Sequence, residues 1–204
     1  MSAIIYPTTT IGTPDPKDPK VFLAGSIEMG KAENWQSKLT TQLENLAVTF
    51  FNPRRTDWDS SWVQTKTDPQ FSYQVNWELE HLAKASIVAL YLAPDTISPI
   101  SLLELGLYMQ SGKLILCCPP GFNRKGNIDI TAQYYNVPVH EDFESFADAI
   151  RQDIAVWAEV LTERCPNLSS KPMAYKSYNI GPDKEPRFNP NHDSSTSRKY
   201  RGDV

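Results

Sequence analysis

The stretch SPISLLELG, residues 98–106, follows an apolar run from Ile87 to Leu92. The apolar run predicts a buried strand, and the stretch after it predicts a helix with Glu104 just inside its first turn. Helix N-termini favour anions, and open α/β sheets bind ligands at the carboxyl ends of their parallel strands. Glu104 is therefore a candidate anionic nucleophile. Position alone favours an ordinary early-turn acid, so that interpretation stays open beside it.

Strand and helix patterns alternate along the chain on both sides of this stretch. The alternation predicts an α/β fold, with a doubly wound, flavodoxin- or Rossmann-like sheet of about five parallel strands and helices on both faces. The predicted strands are residues 20–25, 47–52, 86–92, 113–118 and 137–139, and the predicted helices are residues 33–46, 71–84, 100–111, 129–135 and 143–161.

The composition divides the chain into three parts. Residues 1–17 are rich in Pro and Thr, which predicts a mobile N-terminal lead. Residues 18–162 carry the strand and helix patterns, and they form the predicted domain, with room for a sizeable core. Residues 163–204 are polar and rich in Pro, Asn, Ser and Lys, which predicts an extended or disordered tail.

The overall composition narrows the class of protein. The chain has 204 residues, a net charge of −4 and no concentrated basic patch, so we expect no nucleic-acid polymer as a partner. It has no apolar run of about 18 residues and no apolar signal segment, so we expect no membrane association. Three cysteines, two of them adjacent, fit a reducing compartment, and we expect a cytoplasmic protein. The three scattered histidines predict no metal site, and no motif predicts a cofactor.

The first strong strand pattern ends in Gly25 and Ser26. Gly25 would allow the backbone to approach a ligand closely, and Ser26 offers a hydroxyl and an N–H group. The motif is neither GxGxxG nor a Walker loop, so it indicates nucleotide binding only weakly. An ordinary turn is the alternative interpretation.

Three segments read together resemble the nucleoside 2-deoxyribosyltransferase family: AGSI (24–27), NWELEHLAKASIVALYL (76–92) and SPISLLELG (98–106). The resemblance covers roughly residues 18–150. It implies that Glu104 is the nucleophile, which attacks the anomeric carbon of a 2-deoxyribosyl group and forms a covalent glycosyl-enzyme. A carboxylate suits this role, because cleavage of an N-glycosidic bond passes through an oxocarbenium-like transition state. The resemblance also implies a small-molecule nucleoside or nucleotide partner and a homodimer or larger assembly.

The second acid that this chemistry needs near the leaving base corresponds to Glu78, where the family usually carries aspartate. Glu78 lies on the predicted helix 71–84 and would position the base or the sugar. A solvated helix acid is the alternative for Glu78, and it is the favoured interpretation for Glu80.

Two departures from the family pattern bear on the substrate. Phe22 stands where the family commonly has a tyrosine whose hydroxyl touches the nucleophile, and Ser98 stands where it commonly has an aspartate. The related 2′-deoxynucleoside 5′-phosphate N-hydrolases resemble this chain in having serine at the position of Ser98, where it helps to bind the 5′-phosphate, and a Gly-Ser start. A hydroxyl donates to a phosphate oxygen, whereas a carboxylate repels it. The departures therefore favour a hydrolase or a phosphorylated substrate.

Other side chains have weaker support as site residues. Trp58, in a loop with Trp62, predicts stacking on a base, with a surface loop pinned to the core as the alternative. Arg54 and Arg55 fit a phosphate or a salt-bridged strand end. Asp129 lies near the place where the family brings an asparagine to the sugar 5′-hydroxyl of a neighbouring subunit. An acid there suits a hydroxyl and disfavours a phosphate, which opposes the argument from the serine.

The expected function is N-glycosidic bond cleavage or transfer on a nucleoside or nucleotide. Glu104 is the expected nucleophile, Glu78 the second acid, and Gly25, Ser26 and Ser98 line the sugar or phosphate end. The alternatives are a non-catalytic nucleotide-binding or interaction protein on the same fold and a nucleoside 5′-monophosphate N-hydrolase. A phosphoribohydrolase of the cytokinin-activating type fits less well, because its PGGxGTxxE motif is absent.

Overall fold

The computed structural model describes residues 1–55, 57–59 and 61–164. The tail predicted for residues 163–204 therefore lies outside the described residues, apart from its first two positions.

A single sheet forms the centre of the described fold. Its strand order is β2-β1-β4-β3-β5-β6-β7, and every neighbouring pair is parallel except β1 with β2. The strands are β1 (Ala3–Ile5), β2 (Thr10–Ile11), β3 (Lys20–Gly25), β4 (Thr49–Phe51), β5 (Ile87–Tyr91), β6 (Leu114–Cys117) and β7 (Val139–His140).

Helices cover both faces of this sheet. Side chains of α1 and α5 pack on one face, and side chains of α2, α3 and α4 pack on the other. The helices are α1 (Trp35–Gln42), α2 (Pro69–Lys84), α3 (Pro99–Tyr108), α4 (Lys125–Tyr135) and α5 (Phe143–Arg164). The α/β doubly wound fold predicted from the alternating patterns is thus confirmed.

The number of strands is seven rather than about five, and both additional strands come from residues 1–17. The lead that we expected to be mobile instead contributes β1, which pairs with β4, and β2, which pairs back on β1. Ala3 is buried, and its N–H donates to the Val48 carbonyl at 2.9 Å. The backbone edge of β4 supplies the pairing, so strands of two or three residues form in a segment too short to show a periodic pattern.

Alternation along the central strands divides the core between the two faces. Leu23 of β3 and Ala89 of β5 join the cluster under α1 and α5. Phe22 and Leu90 join the cluster under α2, α3 and α4. Because successive strand residues point to opposite faces, a strand covered on both sides is apolar throughout, as β5 is.

Local signals set the start of the two helices that matter most for the site. Asp68 caps α2 by accepting from the N–H groups of Gln70 and Phe71, and Pro69 occupies the first helical position. Pro99 begins α3 in the same way, after Ser98 has turned the chain with a left-handed backbone conformation (φ 45°). Both helices therefore begin where the sequence supplies a proline.

None of the helices in the described part of the chain is both long enough and apolar enough to cross a membrane. Cys117 and Cys118 are buried free thiols at the end of β6. Both side chains pack in the hydrophobic core, on opposite faces of the sheet.

Candidate active site

The crevice between β3 and β5 is the topological switch point of the sheet. The chain leaves β3 through α1 toward β4 on one side, and it leaves β5 through α3 toward β6 on the other. Ligands of open α/β sheets bind outside the carboxyl ends of the strands at such a point. The segments that follow β3 and β5 carry Ser26, Glu28, Thr96 and Ser98.

Glu104 lies on the buried side of α3, beside the face covered by α2. Its side chain is 8% exposed, and no described residue donates a hydrogen bond to its carboxylate. It is the sixth residue of the helix, so the prediction that it lies in the first turn is wrong. Because the helix dipole acts mainly within the first turn, it does not hold this carboxyl group in its charged form.

Burial, followed by the charge of Glu78, raises the pKa of Glu104 to about 8. Both causes disfavour the ionised form, since burial removes the carboxylate from water and a second carboxylate repels it. At neutral pH the free protein therefore keeps a proton on this group, contrary to the expectation of a carboxylate stabilised by the helix.

Glu78 is half-buried on α2, and Glu80 on the same helix is exposed. Burial raises the pKa of Glu78, and a hydrogen bond from the Gln74 side-chain amide (2.8 Å) opposes that rise. Glu80 instead forms a surface ion pair with Lys84 at 3.4 Å. Glu78 therefore belongs to the buried acid pair, and Glu80 is the solvated helix acid.

Gln74 is a site residue that our sequence interpretation missed. Its amide nitrogen donates to Glu78 and to the Pro53 carbonyl (3.1 Å), and its amide oxygen lies 3.4 Å from an Arg55 guanidinium nitrogen. The Gln74 amide nitrogen faces the two acceptor oxygens, and the amide oxygen faces the Arg55 cation. These contacts therefore fix the orientation of the amide. The spacing of four residues between Gln74 and Glu78 on one helix face is the signal that would have found it.

The two arginines after β4 are engaged within the chain. Arg55 forms a bidentate pair with Asp57 (2.6 and 2.8 Å), and its guanidinium lies 4.7 Å from the Trp62 ring centre. Arg54 donates to backbone carbonyls of the loop after β3, among them that of Ala32 at 3.0 Å. The arginines therefore hold the loops around the crevice, and in this structure neither is available to a phosphate.

Three hydroxyl groups form a buried cluster at the ends of β3 and β5. The side-chain oxygens of Ser26, Thr96 and Ser98 lie within 2.7 to 3.0 Å of one another. Ser26 also accepts from the N–H of Ala93 at 2.9 Å, and Thr96 donates to the carbonyl of Ala93 at 2.8 Å. The Ser26 hydroxyl is fully enclosed. It therefore joins the two strand ends to each other, and Ser98 is the member of the cluster nearest to the helix.

Glu28 is the second residue that sequence reasoning missed. One oxygen of its carboxylate accepts from the N–H of Ser98 (2.6 Å), from the N–H of Ile97 (3.1 Å) and lies 3.2 Å from the Ser98 hydroxyl. These hydrogen bonds, led by the one from Ser98, lower the pKa of Glu28. Glu28 and Ser98 both adopt left-handed backbone conformations, which are uncommon for residues other than glycine and often mark functional sites.

The structure gives Gly25 and Phe22 roles in packing. A Cβ atom added to Gly25 would lie 2.1 Å from the Tyr91 carbonyl oxygen, and its φ is +135°. The close approach that requires glycine is therefore to the neighbouring strand and not to a ligand. Phe22 is fully buried, with its ring centre 6.3 Å from that of Trp77. Phe22 therefore packs under α2, in the apolar core between the helix and the sheet.

Within the described residues, no hydrogen bond, ion pair or ring contact joins Trp58 or Asp129 to Glu78 or Glu104. Trp58 is half-buried and packs edge-on against Trp62, with 5.0 Å between ring centres. Asp129 forms a two-oxygen contact with Lys125 (2.8 Å to each), and Lys125 also contacts Glu141 at 2.9 Å. Their predicted contacts with a base and with a neighbouring subunit's substrate stay predictions.

No cluster of three or more His, Cys, Asp or Glu side chains within the described residues has the arrangement of a metal site. The polar groups that the fold brings together are the buried acid pair, the hydroxyl cluster and the hydrogen-bonded Glu28 carboxylate.

Comparison with known proteins gives one family match. A model of the family described as nucleoside 2-deoxyribosyltransferase like matches residues 18–122, which is just over half of the chain and includes Glu78 and Glu104 but not Asp129. A search of curated proteins found no match.

Two solved structures are similar to the chain at low identity. One is a conserved protein from Enterococcus faecalis V583, with 14% identity and a TM-score of 0.47, covering 67% of this chain and 99% of that chain. The other is a 2-deoxyribosyltransferase from the psychrotolerant bacterium Bacillus psychrosaccharolyticus, with 21% identity and a TM-score of 0.46, covering 63% of this chain and 90% of that chain.

Proposed function

The chain belongs to the nucleoside 2-deoxyribosyltransferase-like family, and from this membership and the buried acid pair we propose that it cleaves or transfers the N-glycosidic bond of a nucleoside. Membership supports nucleoside glycosyl transfer as the general class of chemistry and a small nucleoside as the partner. The reaction, the nucleophile and the acceptor are our proposal. A cytoplasmic location stays a prediction.

The observation that carries the proposal is the position of Glu104. It is buried, it has no hydrogen-bond partner among the described residues, and a second acid, Glu78, is close enough to raise its pKa. A buried ionisable group without a partner costs free energy, and groups of this kind concentrate at functional sites. A purely structural acid would be expected to have a donor, as Asp68 has at the start of α2.

We propose that Glu78 and Glu104 carry one proton between them in the reactive form of the protein. Glu104 first passes its proton to Glu78; as the carboxylate it then attacks the anomeric carbon and forms a glycosyl ester, while the bond to the base breaks and its electron pair leaves with the base nitrogen. The proton on Glu78 passes to the departing base. In the second step, water or another base attacks the anomeric carbon, gives its proton to the Glu78 carboxylate and releases Glu104 as a carboxylate. Water as the acceptor makes the protein an N-hydrolase, and a base makes it a transferase.

A polar strip on α3 supports the placement of the sugar beside Glu104. Ser98, Ser101 and Glu104 follow one another at intervals of three residues on the buried side of the helix. The Ser101 hydroxyl has no hydrogen-bond partner among the described residues, although the residue is only 5% exposed. Polar side-chain atoms without an internal partner beside Glu104 suit a ligand with several hydroxyl groups.

The proposal is tested by incubating the protein with a panel of nucleosides and 5′-monophosphates and measuring free base by chromatography. Glu104→Gln should abolish base release, with a loss of several orders of magnitude, because an amide does not form the ester. Glu80→Gln is the matched control and should retain activity. A 2-fluoro nucleoside should leave a glycosylated peptide containing Glu104. Folded protein that releases no base from any substrate would favour the non-catalytic alternative.

We also propose a homodimer or larger assembly, formed through an apolar face of α3. Ile97, Ile100, Leu103 and Leu107 are each about 60% exposed, and the last three recur at helical spacing. Exposed leucine and isoleucine side chains grouped in this way are typical of protein interfaces. A specific interface here would bury at least about 1,000 Å² in total.

A further inference from the structure

The carboxylate of Glu28 accepts hydrogen bonds from the chain just before the start of α3. Its three hydrogen-bond donors are the N–H groups of Ile97 and Ser98 and the hydroxyl of Ser98. All three contacts converge on one carboxylate oxygen. The second oxygen has no hydrogen-bond partner among the described residues, so it is free to accept from a donor.

Glu28 contacts Ser98, which lies at one end of the polar strip on α3, and Glu104 lies at the other end. Ser98 precedes Glu104 by six residues on α3, which corresponds to about 9 Å along the helix axis. A sugar whose anomeric carbon lies at Glu104 can therefore extend toward Ser98, with the base directed to the Glu78 side. The substituent on the far side of the sugar is then the group that meets Glu28.

The surroundings of Glu28 are acidic. A cavity of about 460 Å³ opens beside it at the ends of β3 and β5, and its lining includes Glu33, Asp95 and a single lysine, Lys31. The two arginines nearest to the crevice are already engaged by carboxylate and carbonyl groups. An incoming phosphate would therefore meet Glu28 and its acidic neighbours, and neither Arg54 nor Arg55 would be free to pair with it.

We propose that Glu28 determines the 5′ end of the substrate, accepting a hydrogen bond from a free 5′-hydroxyl and excluding a 5′-phosphate. The inference rests on the proposed function for the identity of the ligand. It separates two possibilities that the sequence left open, since Ser98 favoured a phosphate and Asp129 favoured a hydroxyl. In the structure the N–H group of Ser98 already donates to the Glu28 carboxylate.

The first test needs no catalysis. Inorganic phosphate is added to the full chain while the amide resonances of Ile97 and Ser98 are followed by NMR. They should shift in Glu28→Gln, whose neutral amide oxygen still accepts from the same N–H groups but no longer repels an anion. They should not shift in the wild type or in Glu33→Gln, which removes one charge from the same cavity but contacts the Tyr91 hydroxyl and not α3. Equal responses in the wild type and Glu28→Gln, or no response in either, would overturn the proposal.

The second test compares kcat/KM for 2′-deoxyadenosine and its 5′-monophosphate. The wild type should prefer the nucleoside, and Glu28→Gln should reduce that preference about tenfold or more, because a like-charge repulsion is removed. Glu33→Gln, which removes a charge from the same cavity but contacts the Tyr91 hydroxyl and not α3, should change the ratio much less than Glu28→Gln. A wild type that prefers the monophosphate would reject the role of Glu28 while supporting the proposed function. Base release from no nucleoside or 5′-monophosphate of the panel would reject the proposed function, and the phosphate titration would still decide whether Glu28 excludes an anion.

Discussion

Glu104 on α3 and Glu78 on α2 place two carboxyl groups where each is harder to ionise than in water. Burial and the charge of Glu78 raise the pKa of Glu104 to about 8, and burial raises the pKa of Glu78 against the opposing hydrogen bond from Gln74. Two coupled acids lose their protons in two steps that belong to the pair. Between those steps the pair holds one proton, which is the form that both attacks and protonates in the proposed mechanism.

The first prediction is a fall in kcat/KM for base release as the pH rises through about 8. Above that pH the pair loses its last proton, and the departing base has no donor. The measurement is the initial rate of base release at low substrate concentration from pH 5 to pH 10, with the fold checked at each pH by circular dichroism. A rate that rises through pH 8 would show that the fully ionised pair is the active form.

The matched variant for this profile is Glu78→Gln. It should lower base release about 10²- to 10⁴-fold, the usual contribution of a general acid. It should also lower the pKa of Glu104, because the neighbouring charge is removed. The remaining kcat/KM of Glu78→Gln should therefore not decline near pH 8.

The second prediction concerns stability. The pKa of Glu104 is higher in the folded protein than in the unfolded chain, so its contribution to folding is complete below about pH 4.5 and is lost as the pH rises to about 8. Relative to Glu104→Gln, the wild type should lose up to a few kcal/mol of unfolding free energy over this range, at about 1.4 kcal/mol per pKa unit. Urea unfolding at pH 5, 7 and 9 measures the difference. Parallel curves for the wild type and the variant would contradict it, and Glu80→Gln is the surface control.

The third prediction distinguishes a structural from a ligand-binding role for Gly25. Gly25→Ala should destabilise the fold by more than about 3 kcal/mol, because its Cβ would overlap the Tyr91 backbone at a φ of +135°. Gly126→Ala, in open space on α4, should be neutral or stabilising by up to about 1 kcal/mol. Thermal unfolding compares the two variants. A Gly25→Ala protein of normal stability that binds substrate poorly would restore the ligand role.

The sequence predicted the fold well because its central strands and helices carry strong periodic patterns. The strand predicted at residues 20–25 is β3 to the residue, whereas β1 and β2 were missed because their stability comes from pairing with β4 and not from their own composition. Sequence also predicted that Glu78 and Glu104 would share a site, through the family motifs.

The rest of the site depends on contacts between residues distant in the chain. Glu28 contacts Ser98 across 70 positions, and no local spacing in the sequence connects the two. Glu104 was expected to be held as an anion at a helix N-terminus, whereas it lies beyond the first turn and its burial raises its pKa. Hydrogen-bond networks and burial are properties of the folded chain, and sequence patterns alone do not specify them.

The fourth prediction concerns Gln74. Gln74→Leu would leave the Glu78 carboxylate and the Pro53 carbonyl without their donor, and such losses cost about 1 to 3 kcal/mol. The loss of that donor should also raise the pKa of Glu78, which urea unfolding and an NMR titration of the carboxyl group measure separately. Asn76→Leu on the same helix removes an exposed amide whose hydrogen bonds within the described residues go to Ser72, and it should change neither quantity appreciably. An unaltered Glu78 titration in Gln74→Leu would mean that the hydrogen bond does not tune the acid.

The fifth prediction tests the assembly through α3. Leu103 lies in the middle of the exposed apolar face formed with Ile100 and Leu107, and it points away from the buried side that carries Glu104. Leu103→Glu should convert the assembly to a monomer, because a charge at the centre of an apolar interface is desolvated without a partner. Sedimentation velocity measures the mass, and Ile130→Glu, at another exposed apolar position on α4, is the control that should leave assembly intact. If the partner subunit completes the site, the Leu103→Glu monomer should fold normally yet release base far more slowly. A wild-type chain that sediments as a fully active monomer would overturn both the interface and the shared site.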